Sequence, residues 1–192
     1  MSLPRRPLPV KPLVSVIFSQ PALETGVFRE LALWLGPPDM VSAWLPFDQT
    51  SYYEPEMGGN LQRRLAVFLH LADPGALRRW KHYTNQLEHR FSLGGRRLVN
   101  IDPGYLARER LVLATGKNYT HRLYIGDGIY GEVTLQFQKG GWQVLPWTYP
   151  DYASPPLLQF LTQARTKYLW QLRQLASLRP PSDTGGQQTA AD

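Results

Sequence analysis

Cysteine is absent from the 192 residues, which excludes disulfides, thiolate metal sites and thiol nucleophiles. Histidine and methionine are scarce, with four and three copies. No stretch approaches the ~20 apolar residues needed to cross a bilayer. Arg5 and Arg6 resemble the charged start of a signal peptide, but Lys11 and the four prolines before residue 13 interrupt any apolar run. No small-residue cleavage site follows, so the expectation is a cytoplasmic protein with no membrane partner. Also missing are G-x-x-x-x-G-K-[ST], a G-x-G-x-x-G after a strand, H-E-x-x-H and G-x-S-x-G. These absences exclude the P-loop, the dinucleotide fingerprint, the helical zinc-protease motif and the hydrolase elbow.

What is present suits one ordinary domain. Apolar residues make up 43%, enough for a core, and 17 Pro with 16 Gly imply many turns and short elements. The net charge of +6 is unevenly spread. Residues 62–122 carry 12 basic and 4 acidic groups, whereas residues 39–60 carry 4 acidic groups and no basic one. A basic middle is either a solvated arginine-rich face or a region that attracts an anionic partner.

Residues 13–19 read as a buried strand. Leu23, Val27, Leu31 and Leu35 then mark a helix closed by Gly36-Pro37-Pro38. Residues 40–47 and 62–71 suggest two strands. Asp73 and Pro74 open a second helix with Leu77, Trp80, Leu87 and Phe91 on one side. Residues 96–101 read as a strand broken by Asp102-Pro103-Gly104, and residues 105–116 fit strand or helix equally. From His121 the alternation is that of an antiparallel meander with turns at Gly126-Asp127-Gly128 and Lys139-Gly140-Gly141. A long amphipathic helix begins at Pro155. The expected fold is a single α+β domain with a mainly antiparallel sheet. Its first half has the ferredoxin-like βαββαβ order, followed by a β-hairpin extension and a long C-terminal helix. The expected boundaries are a loose N-terminal arm (1–11), the domain (12–178) and a disordered tail (179–192).

Three segments hold more functional groups than folding requires. Residues 47–59 carry Asp48, Tyr52, Tyr53, Glu54 and Glu56. Carboxylates this close repel unless solvated, paired or metal-bound, and the oxygen-only set Asp48, Glu54 and Glu56 would suit Mg²⁺. Residues 100–105 hold Asp102 and Tyr105 about a Pro-Gly turn signal. Residues 117–133 supply Lys117, His121, Arg122, Tyr124, Asp127, Tyr130 and Glu132 around a hairpin. An extended strand would send His121 and Arg122 to opposite faces unless a bulge intervened. PWTYPDY (146–152) adds rigid aromatic surface. For each segment the plain reading is structural: a solvated acidic loop, a turn cap and a polar hairpin. His82 and His89 read as surface residues of the basic helix, and His70 as a packed strand residue.

The strings PFDQTSYYEPEMGG, VNIDPGYL, THRLYIGDGIYGEVTL and PWTYPDY occur in this order. Together they resemble the domain of unknown function (DUF) 4416 family, bacterial proteins of about this length. The resemblance spans roughly residues 11–170. It implies no cofactor and assigns no residue a role.

Three readings of function follow. In the first, a small anionic, phosphate- or nucleotide-like ligand binds in a polar cleft. Lys117, Arg122 or His121 would meet its phosphate, with His121 as general acid or base and Glu132 as its orienting partner. In the second, RNA binds the basic helix carrying Arg78, Arg79, Lys81 and Arg90 beside Trp80 and Tyr83. In the third, the protein is a non-catalytic scaffold. Convergence of the three dense segments on one cleft would favour the first.

Overall fold

The computed structural model describes residues 2–178. The expected tail at 179–192 lies outside the described residues. The strands are β1 (Lys11–Phe18), β2 (Pro38–Val41), β3 (Leu45–Pro46), β4 (Gln62–Phe68), β5 (Ser92–Leu93), β6 (Arg96–Arg97), β7 (Val99–Leu106), β8 (Arg110–Thr115), β9 (Leu123–Gly126), β10 (Ile129–Gln138) and β11 (Gly141–Val144). The helices are α1 (Glu24–Leu35), the one-turn α2 (Glu54–Met57), α3 (Leu77–Arg90) and α4 (Pro155–Ser177). The fold is a single α+β domain.

One antiparallel sheet runs in the order β11-β10-β8-β7-β1-β4-β2, with β3 also on β4 and β9 also on β10. Its core, β7-β1-β4-β2, has α1 and α3 as crossovers, which is the interleaved split-βαβ order read from the sequence. The hairpin extension continues the same sheet beyond β7. Among the described residues no helix is long and apolar enough to cross a membrane.

Every residue of β1 is buried because both of its faces are covered. Val14, Val16 and Phe18 join Ala66, Phe68, Val99 and Ile101 under α1 and α3, which contribute Val27, Leu31, Leu77, Trp80 and Leu87. On the opposite face Leu13, Leu65, Val67, Leu106 and Leu113 pack against Leu157, Phe160, Leu161 and Ala164 of α4. A smaller cluster of Ile17, Phe47, Met57 and Leu61 lies on that same face.

The first strand is tied to the last helix. Lys11, fully buried, donates from Nζ to Asp39 at 2.7 Å, to the Phe68 carbonyl at 2.9 Å and to Gln171 Oε1 at 2.8 Å. Tyr168 Oη donates to the Pro9 carbonyl at 2.8 Å. Regular structure thus begins at Lys11, and Val10 already bridges Ala72.

Several local expectations are corrected. Asp102-Pro103-Gly104 is not a turn but lies inside the eight-residue strand β7. Pro103 has no N–H to donate, and β8 pairs with β7 only over Gly104, Tyr105 and Leu106. Gly104 is needed because a Cβ there would run into the Val112 carbonyl oxygen. Residues 40–47 are two short strands rather than one. His70 lies beyond the end of β4 and is exposed. His121 and Arg122 precede β9 in a turn closed by Arg122 N–H donating to the Tyr119 carbonyl at 3.0 Å.

Candidate functional site

The site grows from an edge that lacks a strand. Over Val99–Pro103 no β-strand among the described residues pairs with the outer edge of β7. Side chains of α3 take its place. Lys81 Nζ donates to the Ile101 carbonyl at 2.9 Å, and Ile101 N–H donates to Glu88 Oε1 at 2.7 Å. Lys81 and Glu88 are seven residues apart, two helical turns, so both reach the same strand. They satisfy backbone groups that would be costly to bury unpaired.

From this edge a charged network spreads outward. Lys81 also bonds Asp102 at 3.1 Å. Arg97 holds both Glu56 oxygens at 2.6 Å, Glu88 Oε2 at 2.7 Å and Asn100 Oδ1 at 3.1 Å. Asn100 in turn donates to Asp102 at 2.9 Å. The hydrogen bonds from Arg97 hold the Glu56 carboxyl below its ordinary range. Burial raises the Asp102 carboxyl, but Lys81, Arg63 and Asn100 outweigh it and hold Asp102 below the usual value. Burial prevails at Glu88 and pushes its carboxyl up. Of the two carboxylates beside Lys81, Glu88 therefore takes a proton first.

Asp102 faces the α4 side of the sheet, directly opposite Ser15 in the β1–β7 register. Arg63 lies one row along, opposite Ile17. Its guanidinium stands 4.7 Å from the Phe47 ring centroid and 4.8 Å from that of Tyr152, so two aromatic rings fix its plane. Arg63 and Asp151 touch as charges but are not aligned as a hydrogen bond. The buried Ser15 hydroxyl lies against the buried Tyr152 phenol, and Arg63 Nε is buried without a hydrogen-bond partner among the described residues. Burial holds the Tyr53 and Tyr152 phenols well above their ordinary range, with Asp102 adding to it.

Beyond Asp102 lies the hairpin. Lys117 Nζ donates to Tyr52 Oη at 2.6 Å, which pulls the Tyr52 phenol down. Arg122 donates to the Lys117 carbonyl at 3.0 Å and to Glu132 Oε2 at 2.7 Å. His121 Nε2 lies 3.0 Å from the same Glu132 oxygen. One buried carboxylate therefore orients both side chains, because the turn at 119–122 removes the alternation a strand would impose. The His121 ring stacks on Trp147 at 5.1 Å and Tyr119 at 6.2 Å between centroids. Trp147 is fixed by Nε1–H donating to the Val133 carbonyl at 2.9 Å. With Nε2 on Glu132, Nδ1 has no hydrogen-bond partner among the described residues. This geometry can transfer a proton at Nδ1.

The family model for the domain of unknown function DUF4416 matches residues 8–168. The chain belongs to this family. No curated protein and no solved structure matches it. As a DUF4416 protein it inherits no assigned site, so the arrangement must be read from its own residues.

The sequence-derived candidates separate into two groups. Tyr52, Tyr53, Glu56, Asp102, Lys117, His121, Arg122 and Glu132 are linked around the open β7 edge. The others are elsewhere. Tyr105 lies three residues from Asp102 in one strand and packs on the α1/α3 side. Asp127 sits in the β9–β10 turn with φ 51°, paired with Arg78 of α3 at 3.2 Å. Tyr124 and Tyr130 pack edge to face at 5.4 Å. Asp48, Glu54 and Glu56 do not come together: Glu56 is held by Arg97, Glu54 is exposed at the start of α2, and Asp48 lines a separate groove with Arg63. Among the described residues no group of three or more His, Asp or Glu is placed to hold a metal ion. Sequence reasoning missed Ser15, Arg63, Lys81, Glu88 and Arg97 as members of this polar tract. Ser15 and Arg63 did leave a signal, being polar residues inside apolar strand patterns.

Proposed function

We propose that this protein binds a small anionic ligand of phosphate- or nucleotide-like chemistry where Lys117, His121 and the surrounding aromatic side chains meet solvent. On this reading it works in the bacterial cytoplasm, and the His121–Glu132 pair supplies an acid or base to the bound ligand. The observation that carries the reading is the pairing of cations. Arg97 is neutralised by Glu56 and Glu88, Arg122 by Glu132, Lys81 by Asp102 and Arg63 by Asp151. Lys117 is exposed and bonded to a phenol, with no carboxylate at ion-pair distance among the described residues. An anion arriving there meets a positive charge without displacing a negative one. Tyr52, Tyr119 and Tyr149 are each more than half exposed and offer flat surface for the rest of the ligand.

The basic-helix reading gains less from the same geometry. Arg78, Lys81 and Arg90 already hold Asp127, Asp102 and Glu30, and Trp80 is buried. The sheet face that could stack bases is covered by α4.

The test is calorimetric titration of the full chain with inorganic phosphate, nucleoside mono-, di- and triphosphates with and without Mg²⁺, and a single-stranded RNA. We expect a phosphate-bearing small molecule to bind wild type. Lys117→Ala should weaken it at least tenfold while leaving the unliganded melting temperature unchanged. Absence of heat for every small anion at millimolar concentration, or equal affinity of Lys117→Ala, would overturn the reading.

A further inference from the structure

The sheet ends at β2, and among the described residues no strand pairs with its outer edge. Ser42 N–H donates to the Leu65 carbonyl at 2.8 Å, toward β4. Backbone groups alternate along an antiparallel ladder, so the N–H and C=O of the preceding Val41 point away from β4, to the open side. Pro38 and a bulge at Asp39 guard the start of the strand against indiscriminate pairing. A segment that adds here is therefore selected by side chains as well as by backbone.

Side-chain contacts are available beside it. A groove of about 680 Å³ lies between Met40 of β2 and the flank of α4 that carries Gln163, Thr166, Lys167, Trp170 and Arg173. From residue 162 to residue 173 the helix rises about 16 Å, a length that about five extended residues cover. Met40 adapts its shape to what it meets, and the Trp170 side of the groove is open, that residue being 53% exposed.

The charge of the groove has one sign. The helix α4 holds Arg165, Lys167 and Arg173 and no Asp or Glu. Asp39 of β2 is 5% exposed and shared by two ammonium groups, Lys11 at 2.7 Å and Lys167 at 2.5 Å. Two cations on one carboxylate leave a positive charge in excess. Arg173 is exposed and has no ion pair among the described residues.

These features choose among occupants. A second copy would bring its own basic α4 to the two-fold axis, where like charges meet. Residues 179–192 contain no Leu, Ile, Val, Met or aromatic residue with which to fill an apolar groove. A lipid surface offers no strand to the Val41 backbone. An extended acidic peptide supplies backbone partners, apolar side chains and negative charge together.

We propose that β2 and the flank of α4 form a docking groove for an extended acidic peptide of a partner protein. The peptide adds as a strand to β2, seats alternate apolar side chains on Met40 and Trp170, and turns its carboxylates toward Lys167 and Arg173.

Selection of a random peptide library displayed on phage against the full chain tests this. Enriched sequences should combine Asp or Glu with large apolar residues at alternate positions, and a synthetic copy of the dominant one should bind in fluorescence anisotropy. Trp170→Ala and Arg173→Glu change exposed helix positions, and unchanged melting temperatures verify that both stay folded. Each should weaken that peptide at least tenfold, as should replacing the peptide's acids by their amides. Lys117→Ala should bind it like wild type, so failure of the anion site and failure of this groove are read separately. No enrichment over the unselected library, enrichment of peptides without acids, or equal affinity in Arg173→Glu would each overturn the proposal. A wild-type dimer in sedimentation that Trp170→Ala dissociates would overturn it in favour of a second copy. Binding to phosphatidylglycerol vesicles that Arg173→Glu abolishes would overturn it in favour of a lipid surface.

Discussion

The two faces of the central sheet are built on different rules. Under α1 and α3, β1 contributes Val14, Val16 and Phe18 to a continuous apolar layer. On the α4 side the same strand contributes Leu13, Ser15 and Ile17, and the polar middle position continues sideways into Asp102. Both faces are covered, so solvent exposure does not explain the polar row. Burying polar groups opposes folding unless partners compensate. A sheet needed only to hold the domain together would have filled that row with aliphatic side chains. The polar face therefore marks where the molecule departs from what folding alone requires.

Four experiments break or sharpen this contrast. The largest effect is expected on the dry face. Phe18→Ala empties space beneath both crossover helices and should cost about 3–5 kcal/mol in urea unfolding. Next comes the open edge of β7. Lys81→Met deprives Asp102 and Glu88 of their shared cation and should cost about 3 kcal/mol at neutral pH. That cost should shrink in acid as the two carboxylates are protonated.

The third experiment is acid unfolding. Asp102 and Glu56 are held below their ordinary range in the folded protein. Their stabilisation is complete above about pH 5 and is lost as the pH falls through their folded values. Glu88 acts in the opposite sense, because its raised value favours the folded state at low pH and opposes it as the pH rises. The melting temperature should thus drop below about pH 4, and Asp102→Asn should flatten that limb. A steeper limb in Asp102→Asn would mean that Lys81 depends on Glu88 rather than Asp102. The smallest effect is expected at Ser15, whose buried hydroxyl faces the Tyr152 phenol in a contact too poorly aligned to be a good hydrogen bond. Ser15→Ala should cost no more than about 1 kcal/mol, since only that weak contact is lost and little volume is removed. A loss above about 1.5 kcal/mol would show that the hydroxyl is bonded in solution.

The architecture was legible in the sequence where periodicity was long. The stripes from Val27 to Leu35, Leu77 to Leu87 and Leu157 to Tyr168 became α1, α3 and α4, and the order of the first four principal strands was read correctly. Local chemistry misled at Asp102-Pro103-Gly104. Those residues signal a turn, yet each has a use inside a strand: an anchor for Lys81, an edge without a donor, and a close approach to β8. The site was legible as a density of functional groups but not as a geometry. The meeting of Tyr52 with Lys117 spans 65 positions, and that of Arg97 with Glu56 spans 41. No local pattern encodes either. Lys81 stood out only as one charge of the basic helix and Glu88 not at all, because nothing in the sequence announces that β8 will peel away from β7.

The buried ammonium of Lys11 constrains the order in which the chain can mature. Its partners lie 28, 57 and 160 positions further along. During synthesis the first strand therefore emerges long before the last acceptor of its charge exists. Until Gln171 leaves the ribosome, β1 must remain partly hydrated at its start or be shielded by a chaperone. Docking of α4 is the event that allows that end of the sheet to dry. A nascent chain arrested before Gln171 would hold a nearly complete set of strands yet remain sensitive to protease at its N-terminal edge, and a few more residues of helix would close it.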